Sequence, residues 1–142
     1  MAKATRRRSK PRLSAGQRRT LLNAARDVMR KAYAPFSKFL VGAAILTDKG
    51  AIYAGCNVEN SSYGLTNCAE RTAIFTAVAT EGKRMKVRAV AVVNGKELAC
   101  SPCGACRQVI FEFGPDAVVL FRAARGWKEL HIHQLLPESF RL

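Results

Sequence analysis

Apolar positions along this chain change period several times, and each change marks an element. Leu21, Leu22, Ala25, Val28, Met29 and Ala32 recur at three- and four-residue spacing, which puts them on one helical face. Ser14 followed by Gln17 reads as a capping box that starts this helix, and Pro35 stops it. Residues 40–47 form a nearly continuous apolar run rich in β-formers, the pattern of a strand covered on both faces. Asp48-Lys49-Gly50 then turns the chain into a second strand at about residues 51–58, completing a hairpin. Residues 68–81 return to the helical period, with Ala73, Ile74, Ala77 and Val78 facing inward and Gly82 closing the run.

The alternation continues to the C-terminus. Residues 87–93 predict a third strand ending at the turn Asn94-Gly95, and residues 103–113 a helix closed by Gly114-Pro115. A fourth strand follows at 117–121, with a short fifth at 130–132 that would set His131 and His133 on one side. A hairpin followed by alternating helices and strands indicates an α/β fold, a mixed sheet with helices on both faces. Nothing repeats internally, and no linker is long enough to separate two folding units.

Charge divides the chain where hydropathy does. The net charge is +14, yet residues 1–19 hold eight basic side chains and no acid, leaving sixteen basic and ten acidic residues elsewhere. Residues 1–13 combine that charge with Pro11 and almost no apolar content, which predicts a disordered basic tail ahead of one domain at 14–142. No apolar run approaches the ~20 residues needed to cross a bilayer, and an apolar leader is lacking at the start. Five cysteines without a secretion signal favour metal or redox use in a reducing, cytoplasmic setting.

Three of those cysteines carry the chemistry. Cys68 starts one predicted helix, with Glu70 two residues on, and Cys103 and Cys106 stand one turn apart at the start of another. Helix N-termini favour thiolates, and an i, i+3 pair can share one ion. Three thiolates leave one coordination position open, as a catalytic zinc site does, and Glu70 can reach that position without ligating. Other readings of the same residues are a redox C-x-x-C, part of an iron–sulfur run, or a closed structural site completed by Cys56 or Cys100.

Six ordered motifs between about Ala32 and Phe140 resemble the small, homotetrameric cytidine deaminases. They are Tyr33-Ala34-Pro35-Phe36-Ser37-Lys38-Phe39, Val41-Gly42-Ala43-Ala44, Cys56-Asn57-Val58-Glu59-Asn60 and Cys68-Ala69-Glu70-Arg71-Thr72-Ala73. The other two are Ser101-Pro102-Cys103-Gly104-Ala105-Cys106-Arg107-Gln108 and Leu135-Leu136-Pro137-x-x-Phe140. The resemblance implies a three-layer α/β/α sandwich on a five-stranded mixed sheet, and a homotetramer with composite active sites. It further implies one zinc ion per subunit on Cys68, Cys103 and Cys106, and hydrolysis of cytidine and 2′-deoxycytidine to uridine and 2′-deoxyuridine in pyrimidine salvage.

Each role falls on a matching residue. Glu70 would shuttle protons between the attacking water, N3 and the departing amino group, and Ala69 beside it would join the substrate contacts. Phe39 would stack on the pyrimidine, and Asn57 and Glu59 would bind the ribose 3′-hydroxyl. Ser61, Tyr63 and Phe140 would reach substrate from neighbouring subunits. Arg71, and with it Gln108, would donate to the thiolates and restore the Lewis acidity that three negative sulfurs reduce. Two further substrates fit parts of the pattern, a nucleoside antibiotic of the blasticidin S kind and a polynucleotide held by the basic tail. Glu59 opposes the second, because an esterified 3′-oxygen has no proton to donate and brings a phosphate against the carboxylate. Nucleic-acid contact through the tail, apart from the active site, remains compatible with its charge.

Overall fold

The computed structural model describes residues 12–142. The expected basic tail therefore lies outside the described residues, except for Arg12 and Leu13. Leu13 belongs to the folded body: its N–H donates to Glu129 Oε1 at 3.1 Å, and its side chain packs on buried residues.

The elements run α1 (Ala15–Met29), β1 (Val41–Thr47), β2 (Ile52–Cys56), a 3-10 turn (Tyr63–Leu65), α2 (Ala69–Glu81), β3 (Val87–Asn94), α3 (Gly104–Phe113), β4 (Val118–Arg122), β5 (Trp127–His131) and α4 (Ile132–Leu135). Ser14 caps α1 through the full reciprocal pair with Gln17, as its spacing requires. The five strands order as β2-β1-β3-β4-β5, with β3 and β4 parallel and the other neighbours antiparallel.

Strand alternation divides the core. Ala43, Ile45, Val90, Val92, Val119 and Phe121 are buried with residues of α2 and α3, whereas Ala44, Leu46, Ala89, Ala91, Val93 and Leu120 are buried with residues of α1. The sheet is thus the middle of three layers. Two glycines set how closely the layers approach. A Cβ on Gly42 would lie 2.0 Å from the Ala25 carbonyl oxygen, and one on Gly55 would lie 2.4 Å from the Ala73 nitrogen. Helix α1 therefore rests directly on β1, and α2 on β2.

The fifth strand differs from expectation. It begins at Trp127 instead of residue 130, and His131 closes it as the N-cap of α4. His133 consequently lies on a helix, where its ring meets Phe111 edge-on at 5.8 Å. The two histidines do not share a strand face, because the helical turn begins between them. A run as short as 130–132 carries too few residues to separate the two periods.

Candidate active site

Helices α2 and α3 start beside each other, and each start is a cysteine. Cys68 and Cys103 are the N-cap residues, and neither uses its side chain to cap its helix. Their sulfurs are free to meet, 3.9 Å apart, and Cys106 one turn into α3 brings the third sulfur within 4.8 Å of both. Tetrahedral zinc with bonds of about 2.3 Å would separate its sulfur ligands by about 3.8 Å, so this donor set fits zinc in both element and spacing. Among the described residues these three form the single His/Cys/Asp/Glu cluster of metal-binding geometry. Cys56, at the end of β2, stands outside it, and so does Cys100, which rules out the closed four-cysteine arrangement in this fold.

Glu70 lies against the cluster, 5 % exposed, with Oε2 accepting from the Cys106 thiol at 3.5 Å. Burial pushes its carboxyl above the usual range, and the charge of Cys68 adds to that. Arg71 donates to Cys68 Sγ at 3.2 Å. A hydrogen bond from Cys106, reinforced by Arg71, brings the Cys68 thiol down to about 5, whereas Cys106 is held well above its ordinary value. The negative charge therefore rests mainly on Cys68, supported by the start of α2 and by the Arg71 guanidinium.

Above the cluster is a cavity of about 280 Å³, lined by Phe39, Asn57, Glu59, Ala69 and Glu70 together with Cys68 and Cys103. That volume lies at the small end of ligand pockets and suits a small molecule. Five expected site residues, from distant parts of the sequence, thus converge on one space with two of the metal ligands. Asn57 and Glu59 do more than line it. Asn57 Oδ1 accepts from the Val41 N–H and its Nδ2 donates to the Phe39 carbonyl, both at 2.8 Å. Glu59 Oε1 accepts from the N–H groups of Phe36 and Ser37 at 2.9 and 3.1 Å. Hydrogen bonding from Ser37 is the main reason that the Glu59 carboxyl sits below its ordinary value. Together the two side chains hold the segment that carries Phe39, including Lys38 at φ 60°, a left-handed conformation that costs an L-residue about 1 kcal/mol or more. Each still has unused hydrogen-bonding capacity toward a ligand.

Three expected contacts lie elsewhere. Ser61, Tyr63 and Phe140 are exposed and do not line the cavity. Gln108, expected to support the thiolates, instead donates to the Phe140 carbonyl at 3.3 Å. At about 100° per residue, a position two beyond Cys106 lies on roughly the opposite side of α3, facing the C-terminal segment.

Arg107 was not legible as a site residue. It donates to the Pro102 carbonyl at 2.7 Å, the Leu135 carbonyl at 2.8 Å and Ser101 Oγ at 2.9 Å. Those bonds tie the loop before Cys103 to α4. The available signal is its place four residues after Cys103, on the face that turns back to the loop. Arg107→Ala should destabilise the fold by about 2 kcal/mol, read as a lowered Tm, because three charge-assisted bonds are lost at once. An unchanged Tm would mean that the loop is held by its own backbone.

Comparison with known proteins agrees with this geometry. Residues 15–122 match the family model described as the cytidine and deoxycytidylate deaminase zinc-binding region. The cytidine deaminase of Sporosarcina psychrophila is 49 % identical over 122 residues, 84 % of this chain and 88 % of that protein. A crystal structure of cytidine deaminase from Burkholderia pseudomallei superposes with a TM-score of 0.79 at 45 % identity, covering 86 % of this chain and 98 % of that one. Blasticidin-S deaminase of Bacillus cereus is more distant, at 34 % identity over 73 % of this chain and 79 % of that protein.

Proposed function

Because this chain belongs to the cytidine and deoxycytidylate deaminase family, we propose that it hydrolyses free cytidine and 2′-deoxycytidine to uridine, 2′-deoxyuridine and ammonia. The observation that carries the reading is the buried Glu70 beside three convergent cysteine sulfurs, on the floor of a cavity sized for a small ligand. Zinc held by Cys68, Cys103 and Cys106 supplies a Lewis acid that makes water acidic enough to attack at neutral pH. Glu70 takes a proton from the attacking water and delivers it to N3, which leaves C4 electrophilic. Glu70 then takes the proton of the hydroxyl now on C4 and hands it to the amino group as the C4–N4 bond breaks, which leaves the C4 carbonyl of the product. Water enters and ammonia leaves, so atoms and protons balance. Arg71, bonded to the Cys68 sulfur, draws electron density from the ligands and offsets their excess negative charge.

Phe39 offers its ring to the pyrimidine, and Ala69 lines the cavity next to Glu70. Asn57 and Glu59 direct their remaining hydrogen-bonding capacity to the ribose 3′-hydroxyl. The same carboxylate favours free nucleosides over polynucleotides, whose 3′-oxygens carry phosphate. The greater identity to cytidine deaminase than to blasticidin-S deaminase supports an ordinary nucleoside as substrate.

The assembly we propose is a homotetramer. Tyr33, Phe36, Val58, Tyr63, Leu65 and Phe140 are between 44 % and 73 % exposed, and Phe36 meets Tyr63 edge-on at 5.4 Å. A monomer gains nothing from presenting that many large apolar groups to water. Ser61, Tyr63 and Phe140 would then complete the cavity of a neighbouring subunit, which accounts for their distance from their own. Five free cysteines, three of them needed as zinc ligands, support a reducing cytoplasm and a role in pyrimidine salvage.

The direct test follows ultraviolet loss of cytidine, deoxycytidine, cytidine monophosphate and a cytosine-containing oligonucleotide. Turnover of the two nucleosides is expected, and turnover confined to the oligonucleotide would overturn the reading. Within it, Glu59→Gln should raise KM for cytidine about tenfold, the difference between a charged and a neutral acceptor, with zinc content unchanged. The variant should also lose discrimination against 3′-deoxycytidine. Because Glu59 is held below its ordinary value of 4.5, wild-type KM should show no break as pH falls toward that value. Equal loss of zinc and affinity would make Glu59 structural instead.

A further inference from the structure

The face of the sheet away from the cavity carries a different kind of surface. Arg19, Asn23 and Arg26 on α1 and Arg30, its C-cap, are exposed and spaced by four, three and four residues. At 3.6 residues per turn they form one stripe along the helix, with arginines about 10.5 and 6 Å apart along its axis. No acid interrupts the stripe; Asp27 lies a quarter-turn to one side. The opposite side of α1 buries Leu21, Leu22 and Ala25 against the sheet, so the stripe points outward.

Arg26 also forms the rim of a groove of about 170 Å³ that continues over Met29, Arg122 and Trp127. The Arg122 guanidinium sits 5.8 Å from the centre of the Trp127 ring, which places a cation and an aromatic surface side by side. Glu97 is the one acidic side chain lining the groove. At the other end of α1, Glu129 holds Leu13 by its N–H and pairs with Arg18 at 3.5 Å. The chain therefore enters the fold on this same face, preceded by residues 1–11 with five basic side chains and no acid.

We infer that this face docks single-stranded nucleic acid, as a ligand and not as a substrate. A row of arginines matches the repeating charge of a phosphodiester backbone, and arginine offers each phosphate two donors. Trp127 is half-buried against the core with the Arg122 guanidinium over its ring, so the groove offers a cationic plane and an aromatic edge to an unpaired base, which a closed duplex cannot use. An anionic membrane fits less well. Interfacial helices set a polar face against an apolar one that enters the lipid, and no large hydrophobic side chain of α1 is exposed. The cavity with its cysteine cluster is lined in part by the starts of α2 and α3 and by no residue of α1, so a strand docked along α1 would not touch that lining.

The test uses fluorescence anisotropy of a labelled 20-nucleotide RNA of adenine and uracil, which contains no cytosine to react. The full chain should bind it with an affinity that falls steeply between 50 and 200 mM KCl. The variant R19Q/R26Q/R30Q should bind at least tenfold more weakly at 100 mM KCl. Its log–log salt slope should be smaller by about 2, from three lost contacts at about 0.7 each for a single strand. Turnover of cytidine by that variant should stay within twofold of wild type, which reports that the fold is intact. The charge-preserving R19K/R26K/R30K should restore most of the slope, and this holds even if the glutamine variant folds poorly. Absence of wild-type binding at 50 mM KCl would overturn the inference, as would equal binding by the glutamine variant. Tighter binding to phosphatidylserine vesicles or to a duplex of the same length would reassign the face.

Discussion

With Glu70 replaced by Gln, kcat for cytidine is expected to fall by about 10³-fold or more, while zinc remains at one ion per chain. Positioned general acid–base groups contribute about 10²–10⁴ to rate, and one carboxylate here serves two successive transfers. Glutamine has nearly the same shape, so it fills the buried position beside Cys106. It cannot carry a proton from water to N3. Zinc content by elemental analysis separates loss of chemistry from loss of the site. A fall of less than tenfold would sink the shuttle. Loss of zinc with activity would show that the carboxylate instead holds the cluster together.

A large effect on both stability and activity is expected at a glycine outside the cavity. Gly55→Ala should lower stability by about 3 kcal/mol and kcat/KM by about 10²-fold. The added Cβ would meet Ala73 N at 2.4 Å and both Ala69 O and Thr72 C at 2.8 Å. All three are backbone atoms of α2, so no side chain can swing aside. The helix itself must move off β2, and with it Cys68 at its N-cap and Glu70 in its first turn. Thermal melts would read the first loss and steady-state kinetics the second. Gly16→Ala is the control, since its Cβ meets only Ser14 Oγ at 3.9 Å and a helical alanine is favoured over glycine. A Gly55→Ala protein as stable and active as the control would show that α2 has slack against the sheet.

Where periodicity was sustained, the elements could be read from the chain. The capped α1, the apolar β1 and the two cysteine-headed helices each carry a pattern longer than the uncertainty of its ends. The fifth strand did not, because three residues cannot distinguish period two from the start of a helical turn. Site legibility followed the same logic. Cys68, Glu70, Cys103 and Cys106 announce themselves because their chemistry requires particular residue types at local spacing. Arg107 and Gln108 are adjacent and both polar, yet their roles differ. Helical phase decides that one ties the ligand loop and the other faces the C-terminal segment.

By itself the sequence determined the reaction's equipment: three thiolates, a carboxylate and a basic N-terminal segment, each recognisable from local composition and spacing. Only the tertiary structure decided that Asn57 and Glu59 also build the ledge carrying Phe39, since their partners lie 16 to 23 residues away. It likewise decided that the arginines of α1 lie on the face opposite the cysteines. Which side of a sheet a helix covers depends on how all five strands pair and on which strand faces remain small enough to receive it. That is a property of long-range packing, and no short window of sequence contains it.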